Sequence, residues 1–149
     1  MNDLFQWAVR WGVPRQAIDD LVARTTAARE DGENHEGDVQ ARIRLDAPKW
    51  GGALWRNNNG SAYNKQGRPV RFGVGNDSVK INRVWKSSDL VGIAPGGTFL
   101  AVECKREGWR WTGTDRERAQ WNFLTNVQAL GGRAGFATCV EDARRIAGL

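Results

Sequence analysis

Apolar positions in this chain change their spacing several times, and each change marks the start of a new element. Leu4, Trp7, Ala8 and Trp11 stand at i, i+3, i+4 and i+7, which predicts an amphipathic helix over residues 3–11 that Gly12 stops. Pro14 suits the first turn of a second helix carrying Ala17, Ile18, Leu21 and Val22 on one side. Residues 29–34 are charged, contain Gly32 and show no period, so they predict a linker. The chain therefore divides into an N-terminal helical appendage with its linker, 1–32, and a main domain, 33–149. A third helix is expected over 35–47, ended by Pro48 and the Gly51-Gly52 pair; its inner face carries Glu36, Val39, Gln40, Ile43 and Ala47. Residues 53–57 and 70–74 read as short strands on either side of a loop rich in Asn and Gly.

Two apolar runs, 90–93 and 98–102, are separated by Pro95-Gly96-Gly97 and predict a β-hairpin. Strand alternation puts Phe99, Ala101, Glu103 and Lys105 on one face and Leu100, Val102 and Cys104 on the other. Thr114 and Glu117 then have the spacing of a capping box and open a helix that runs to about residue 130. Its apolar stripe is Ala119, Phe123, Val127 and Leu130, widened by Leu124. Gly131-Gly132 ends it, 134–139 is a last strand and 141–147 a short final helix. The fold class is α/β.

This layout concentrates chemistry at one place. With the hairpin in simple register, Asp89 at its entrance lies close to Glu103, and Lys105 shares the Glu103 face. Two carboxylates and an ammonium then converge, the outline of a divalent-metal hydrolytic site. Glu36 interrupts the apolar face of the third helix. A first-turn acid complements the helix dipole, but its place on the buried stripe makes it a candidate third carboxylate, with Glu33 as the alternative. Gln120 projects into the apolar arc of its helix and needs a partner, because an unsatisfied buried amide costs ~1–3 kcal/mol. It is either a core hydrogen bonder or a group that orients water or reaches a phosphate.

Composition adds a partner to this picture. In 149 residues, enough for one domain with a real core, 22 basic side chains face 17 acidic ones for a formal charge of +5, which favours a polyanion such as nucleic acid. Arg56, Lys65, Arg68, Arg71, Lys80, Arg83 and Lys86 share one stretch with a single acid, Asp77, and with Trp55, Tyr63 and Trp85 interleaved. That stretch, with Asn58 in its loop, is a candidate nucleic-acid surface; the alternative is a solvated face over core aromatics. Arg106, Trp109, Arg110 and Trp111 extend it beyond the hairpin, the tryptophans either flanking nucleic acid or packing under the following helix. Cys104 and Cys139 are too few for a disulfide framework or structural zinc and read as reduced thiols. Apolar runs fall short of a membrane span and Met1 precedes no signal pattern, so a soluble, cytoplasmic protein without a membrane partner is expected.

The blocks EGDVQARIRL, LWRNNNG, GRPVRFGVGNDS, KSSDLVGI, FLAVECKR, AQWNFL and GGRAGFA, spanning residues 36 to about 139 in order, resemble the VRR-NUC branch of the PD-(D/E)XK nuclease superfamily, particularly small stand-alone bacteriophage forms. The resemblance implies a restriction-endonuclease-like α-β-β-β-α-β core behind an N-terminal helical pair. It makes Asp89 and Glu103 metal-binding carboxylates and Lys105 the catalytic lysine; Glu36 matches the first-helix acid and Gln120 the glutamine of the later helix. The backbone carbonyl of Cys104 would complete the set around Mg²⁺ or Mn²⁺. Ser88 replaces the proline of the superfamily name. The implied activity is structure-selective DNA cleavage by a homodimer in the manner of Holliday-junction resolvases, on branched or junction DNA. The alternatives are a replication or repair nuclease acting on flaps, nicks or duplex ends, and a non-catalytic nucleic-acid-binding module.

Overall fold

The computed structural model describes residues 7–14, 16–18, 21 and 35–149. It divides the chain into two units, Met1–Glu33 and Asn34–Leu149. In the first, residues 7–10 and 16–18 are helical, Gly12 takes φ 62°, and the Ala17 amide donates to the Pro14 carbonyl. Residues 3–6 of the first predicted helix, residues 15, 19, 20 and 22 of the second, the linker at 29–34 and Glu33 lie outside the described residues.

The second unit runs α1 (Glu36–Asp46), β1 (Ala53–Arg56), β2 (Gly60–Tyr63), β3 (Pro69–Phe72), α2 (Val79–Val84), β4 (Leu90–Ile93), β5 (Phe99–Cys104), α3 (Asp115–Ala129), β6 (Arg133–Ala137) and α4 (Val140–Ile146). Local chemistry sets the ends. Glu36 and Asp38 occupy the first turn of α1, where acids oppose the exposed amides. Past Asp46, Pro48 tightens the chain into a 3₁₀ turn over Ala47–Trp50, which Gly51 closes at φ 80°. At α3 the Thr114 hydroxyl accepts from the Glu117 amide at 3.2 Å. The Glu117 carboxylate reaches farther back than a capping box requires, accepting from the Thr112 amide (3.0 Å), the Thr112 hydroxyl (2.9 Å) and the Gly113 amide (3.3 Å). It thereby fixes the loop that precedes the helix.

The main sheet has the order β1-β4-β5-β6. β4 pairs antiparallel with both β1 and β5, while β6, returned by α3, runs parallel to β5. The predicted hairpin is present, with Leu90 opposite Val102 and the Ala94 amide bonded to the Thr98 carbonyl across the Pro95-Gly96-Gly97 turn. Its alternation sorts side chains into two cores. Leu100, Val102 and Cys104 join Val39 and Ile43 of α1 and Ala143 of α4 on one face. Ala101 meets Phe123, Leu124 and Val127 of α3 on the other. Each fully buried aliphatic chain contributes about 1.5–3 kcal/mol. Buried Asp46 ties α1 to α4, accepting from Arg144 Nε and Nη2 at 2.9 Å each and from Trp50 Nε1 at 3.0 Å. Arg144, foremost, holds its carboxyl below the usual range.

Three features differ from the sequence reading. The Asn- and Gly-rich loop contains β2, which pairs antiparallel with β3 to make a separate two-stranded sheet; its GSAY sequence has no apolar alternation to reveal it. The strand expected over 70–74 is β3, displaced to Pro69–Phe72, and α2 follows where no element was read. Leu130 is not part of the α3 stripe: helical conformation ends at Ala129 and Leu130 is 81% exposed. Among the described residues no helix is long and apolar enough to cross a membrane.

Gly92 sits where β1 and β4 meet, and a Cβ there would stand 1.8 Å from the Ala53 carbonyl oxygen. Gly92→Ala is expected to push these strands apart and destabilise the domain by about 1–3 kcal/mol, the range for overpacking. Urea unfolding measures it; an unchanged midpoint contradicts the close approach.

Candidate functional site

Continuing the β4–β5 register one step beyond Leu90–Val102 sets Asp89 opposite Glu103, and hydrogen bonds lock the pair. The Asp89 amide donates to Glu103 Oε2 at 3.2 Å, and the Cys104 amide donates to Asp89 Oδ2 at 3.0 Å. Each carboxylate is thus held by the other strand's backbone. Glu36, at the start of α1, completes a group in which one carboxylate oxygen from each of Glu36, Asp89 and Glu103 lies within 4.8 Å of the others. α1 supplies Glu36 and the β4–β5 hairpin the other two; Glu36 is exposed rather than on the buried stripe that the sequence suggests, because it sits in the first turn of α1.

Lys105 Nζ donates to Glu103 Oε1 at 3.2 Å and to Gln120 Oε1 at 3.0 Å, while Gln120 Nε2 donates to Glu103 Oε1. Gln120 therefore bridges acid and lysine: its buried amide is hydrogen-bonded, and its partners are site residues rather than core backbone. Glu103, Lys105 and Gln120 are all buried, whereas Glu36 is exposed and Asp89 half-buried.

Burial, together with the neighbouring Asp89 charge, pushes the Glu103 carboxyl up to about 7 despite Lys105. Burial also raises Asp89, opposed by the Cys104 amide and by Lys105. Three carboxylates thus meet around one lysine, with Arg116 and Arg56 near enough to act on Asp89, and such a group could hold a cation. The donor set is all oxygen, suited to Mg²⁺ or Mn²⁺. Octahedral ligands at about 2.1 Å lie roughly 3–4.2 Å apart, so a 4.8 Å cluster closes on such an ion by small side-chain movements. The Cys104 peptide is at the site through its amide. Its thiol lies in the opposite core, and burial, reinforced by the acids, pushes it well up, which leaves it no nucleophilic part.

A cleft of about 460 Å³ opens over Asp89, Glu103 and Gln120. Of the expected nucleic-acid residues, Arg56, Asn58, Arg71 and Lys86 line it. Arg71 is steered by Asn76, whose side-chain oxygen accepts from Nη2 at 2.6 Å. Burial, then Arg116 and Arg71, lowers the Lys86 pKa, and its ammonium donates to Asn82. Asn57 donates to Ser87 Oγ and the Ser88 carbonyl, each at 2.8 Å, and Asn59 donates to Ser87 Oγ at 2.9 Å. These bonds join the end of β1 to the approach to β4.

Lys65, Arg68, Lys80, Arg106 and Arg110 are exposed and do not line this cleft. Trp85 is half-buried and packs against the α3 core, edge-on to Phe123 at 5.0 Å. Trp109 packs on Phe136 at 5.0 Å, and Trp111 is 46% exposed. Arg116 lines the cleft and was not foreseen, although it stands four residues before Gln120 on the same helix face. No family model, characterised protein or solved structure matches this chain in the three comparisons.

Because the folded Glu103 carboxyl sits at about 7 rather than its ordinary 4.5, its protonated form stabilises the fold. That stabilisation is full below about pH 4.5 and is lost as pH rises through about 7. Metal-free protein is expected to melt at a lower temperature at about pH 8 than at about pH 5, and Glu103→Gln to reduce the slope. Millimolar Mg²⁺ or Mn²⁺ is expected to raise the melting temperature more at the higher pH. Differential scanning fluorimetry in chelator and in metal tests this; identical slopes for wild type and Glu103→Gln would remove Glu103 as the titrating group.

Proposed function

We propose that the chain is a Mg²⁺- or Mn²⁺-dependent DNA endonuclease that hydrolyses phosphodiester bonds in branched DNA, a stand-alone nuclease of the VRR-NUC type within the PD-(D/E)XK superfamily. The observation that carries this reading is the convergence of Glu36, Asp89 and Glu103 with Lys105 and Gln120 beneath a cleft walled by Arg56, Arg71, Lys86 and Arg116. The order α1, β1, β4, β5, α3, β6 also agrees with the α-β-β-β-α-β core, with β2, β3 and α2 inserted after its first strand. Cleavage of a Holliday junction by a homodimer rests on the resemblance alone and belongs to the proposal on that footing.

Glu36, Asp89 and Glu103 would hold the metal, with the Cys104 carbonyl proposed as a further ligand. When bound, such an ion makes water nucleophilic near neutral pH and offsets charge growing on the phosphate. Lys105, fixed between Glu103 and Gln120, presents an ammonium to the same place. There it orients the attacking water or stabilises the pentavalent transition state, a contribution often worth ~3 kcal/mol. Gln120 is a positioning residue that holds Lys105 and Glu103 in register. The cations of the cleft neutralise phosphates on the incoming strand.

Asp89→Ala, Glu103→Ala and Lys105→Ala are each expected to lower cleavage by about 100-fold or more while leaving most DNA binding. Gln120→Ala is expected to reduce kcat by a smaller factor. A single assay comparing four-way junction, flap, nicked duplex and single-stranded DNA with Mg²⁺ or Mn²⁺ tests both site and substrate. Full cleavage by Glu103→Ala rejects the site, and equal cutting of every substrate rejects structure selectivity. Mass determined in solution tests the dimer.

A further inference from the structure

Beside Glu103, and outside the lining of the basic cleft, four aromatic rings form a strip. β6 carries Phe136 in register with Glu103 of β5. Trp109 lies 5.0 Å from the Phe136 ring, and Trp111 lies 6.1 Å from it. Trp121 of α3 lies nearly parallel to Phe136, at 12° and 6.4 Å, and Trp111 meets Trp121 edge-on at 5.9 Å. The strip begins at the catalytic machinery, since Lys105 Nζ is 5.8 Å from the Trp109 ring and 5.9 Å from Phe136. Trp111 and Trp121 are 46% and 52% exposed, so the outer rings offer indole surface to solvent.

We infer that this strip is a stacking subsite for an unpaired nucleobase next to the scissile phosphate, so that the enzyme acts where duplex gives way to single strand. The inference rests on the nuclease reading above and names the substrate feature it selects. Indole faces are rigid, accept any base and recur where single strands are held without sequence preference. Lys105 lies within 6 Å of the Trp109 and Phe136 rings, and the exposed Trp111 and Trp121 lie 6.1 and 6.4 Å from Phe136. A base flanking a phosphate at the acids therefore reaches the strip. Cations stand with the rings: Arg110 separates Trp109 from Trp111, and Arg118 donates to the Gly113 carbonyl at 3.0 Å, beside the Trp111 indole nitrogen. Rings for bases with guanidiniums for phosphates are the combination that binds single strands. A second copy of this chain fits the surface less well, because a two-fold contact would set the arginines of one +5 chain against those of the other.

Fluorescence anisotropy in chelator, where nothing is cut, tests the subsite with three labelled probes: oligothymidylate, an abasic strand of equal length and a blunt-ended duplex. The duplex probe is two annealed blunt-ended strands with no loop, so that every base is paired. Wild-type protein is expected to bind oligothymidylate about tenfold or more tighter than the abasic strand, as stacking on two rings allows. Trp111→Ala with Trp121→Ala is expected to erase that difference and leave duplex affinity within about twofold; Trp→Phe at both positions should restore most of it. Equal wild-type affinity for thymidylate and abasic strands overturns the inference without any variant. Loss of duplex and single-strand binding in equal measure also overturns it, as does conversion of a dimer to a monomer by the alanine pair. Failure of metal-dependent cleavage would instead count against the nuclease reading, and the binding comparison would still report on stacking.

Discussion

The apposition of Asp89 and Glu103 across the β4–β5 hairpin is the constraint on which the rest of the second unit turns. Two carboxyl groups forced together, one of them buried, repel one another and resist ionisation. The arrangement persists because backbone amides from opposite strands hold each acid and because Lys105 and Gln120 close around Glu103. Among the described residues no buried side-chain nitrogen or oxygen lacks a hydrogen-bond partner, so this charged pocket is saturated with polar contacts. Local conflict of this kind, maintained by a well-packed sheet, is a common mark of a functional site.

Strand alternation couples that conflict to the fold. The face of β5 that carries Glu103 also carries Ala101 into the α3 core, while Leu100, Val102 and Cys104 anchor the other face beneath α1 and α4. A shift of one residue in the β4–β5 pairing would bury the acids in an apolar core. The packing that stabilises the sheet and the geometry that opposes the acids are therefore one choice of register.

Much of this was readable from residue spacing, for a physical reason. The hairpin turn, the period-two alternation of β5, the cap of α3 and the glycine pair after it are local signals, and each corresponds to an element in the structure. The convergence of Asp89, Glu103 and Lys105 follows from register alone, and Gln120 was marked by being polar within an apolar arc. What escaped depends on distant contacts. β2 is short and nearly all exposed, and it is defined by its partner β3 rather than by its own pattern. Arg116 becomes a wall of the cleft only where α3 packs beside residues of distant segments, and Trp121 and Phe136 come from different elements that meet only in three dimensions. The long Thr112–Gly113 reach of Glu117 likewise has no signature beyond the expected cap.

The inserted β2–β3–α2 segment is closed at its base. Asn57 and Ser87, 30 residues apart, are joined by a 2.8 Å hydrogen bond, and Asn59 reinforces the closure. With its two ends stapled beside the sheet, the segment behaves as a cassette: the entropy of closing a loop grows only slowly with its length, so insertions or exchanges beyond the staple leave the β1–β4 seam undisturbed. Arg56 at one end and Lys86 at the other belong to the frame, whereas Lys65 and Arg68 travel with the exchangeable part. The asparagines at the seam thus hold the inserted segment, with Arg71, beside the sheet that carries the acids.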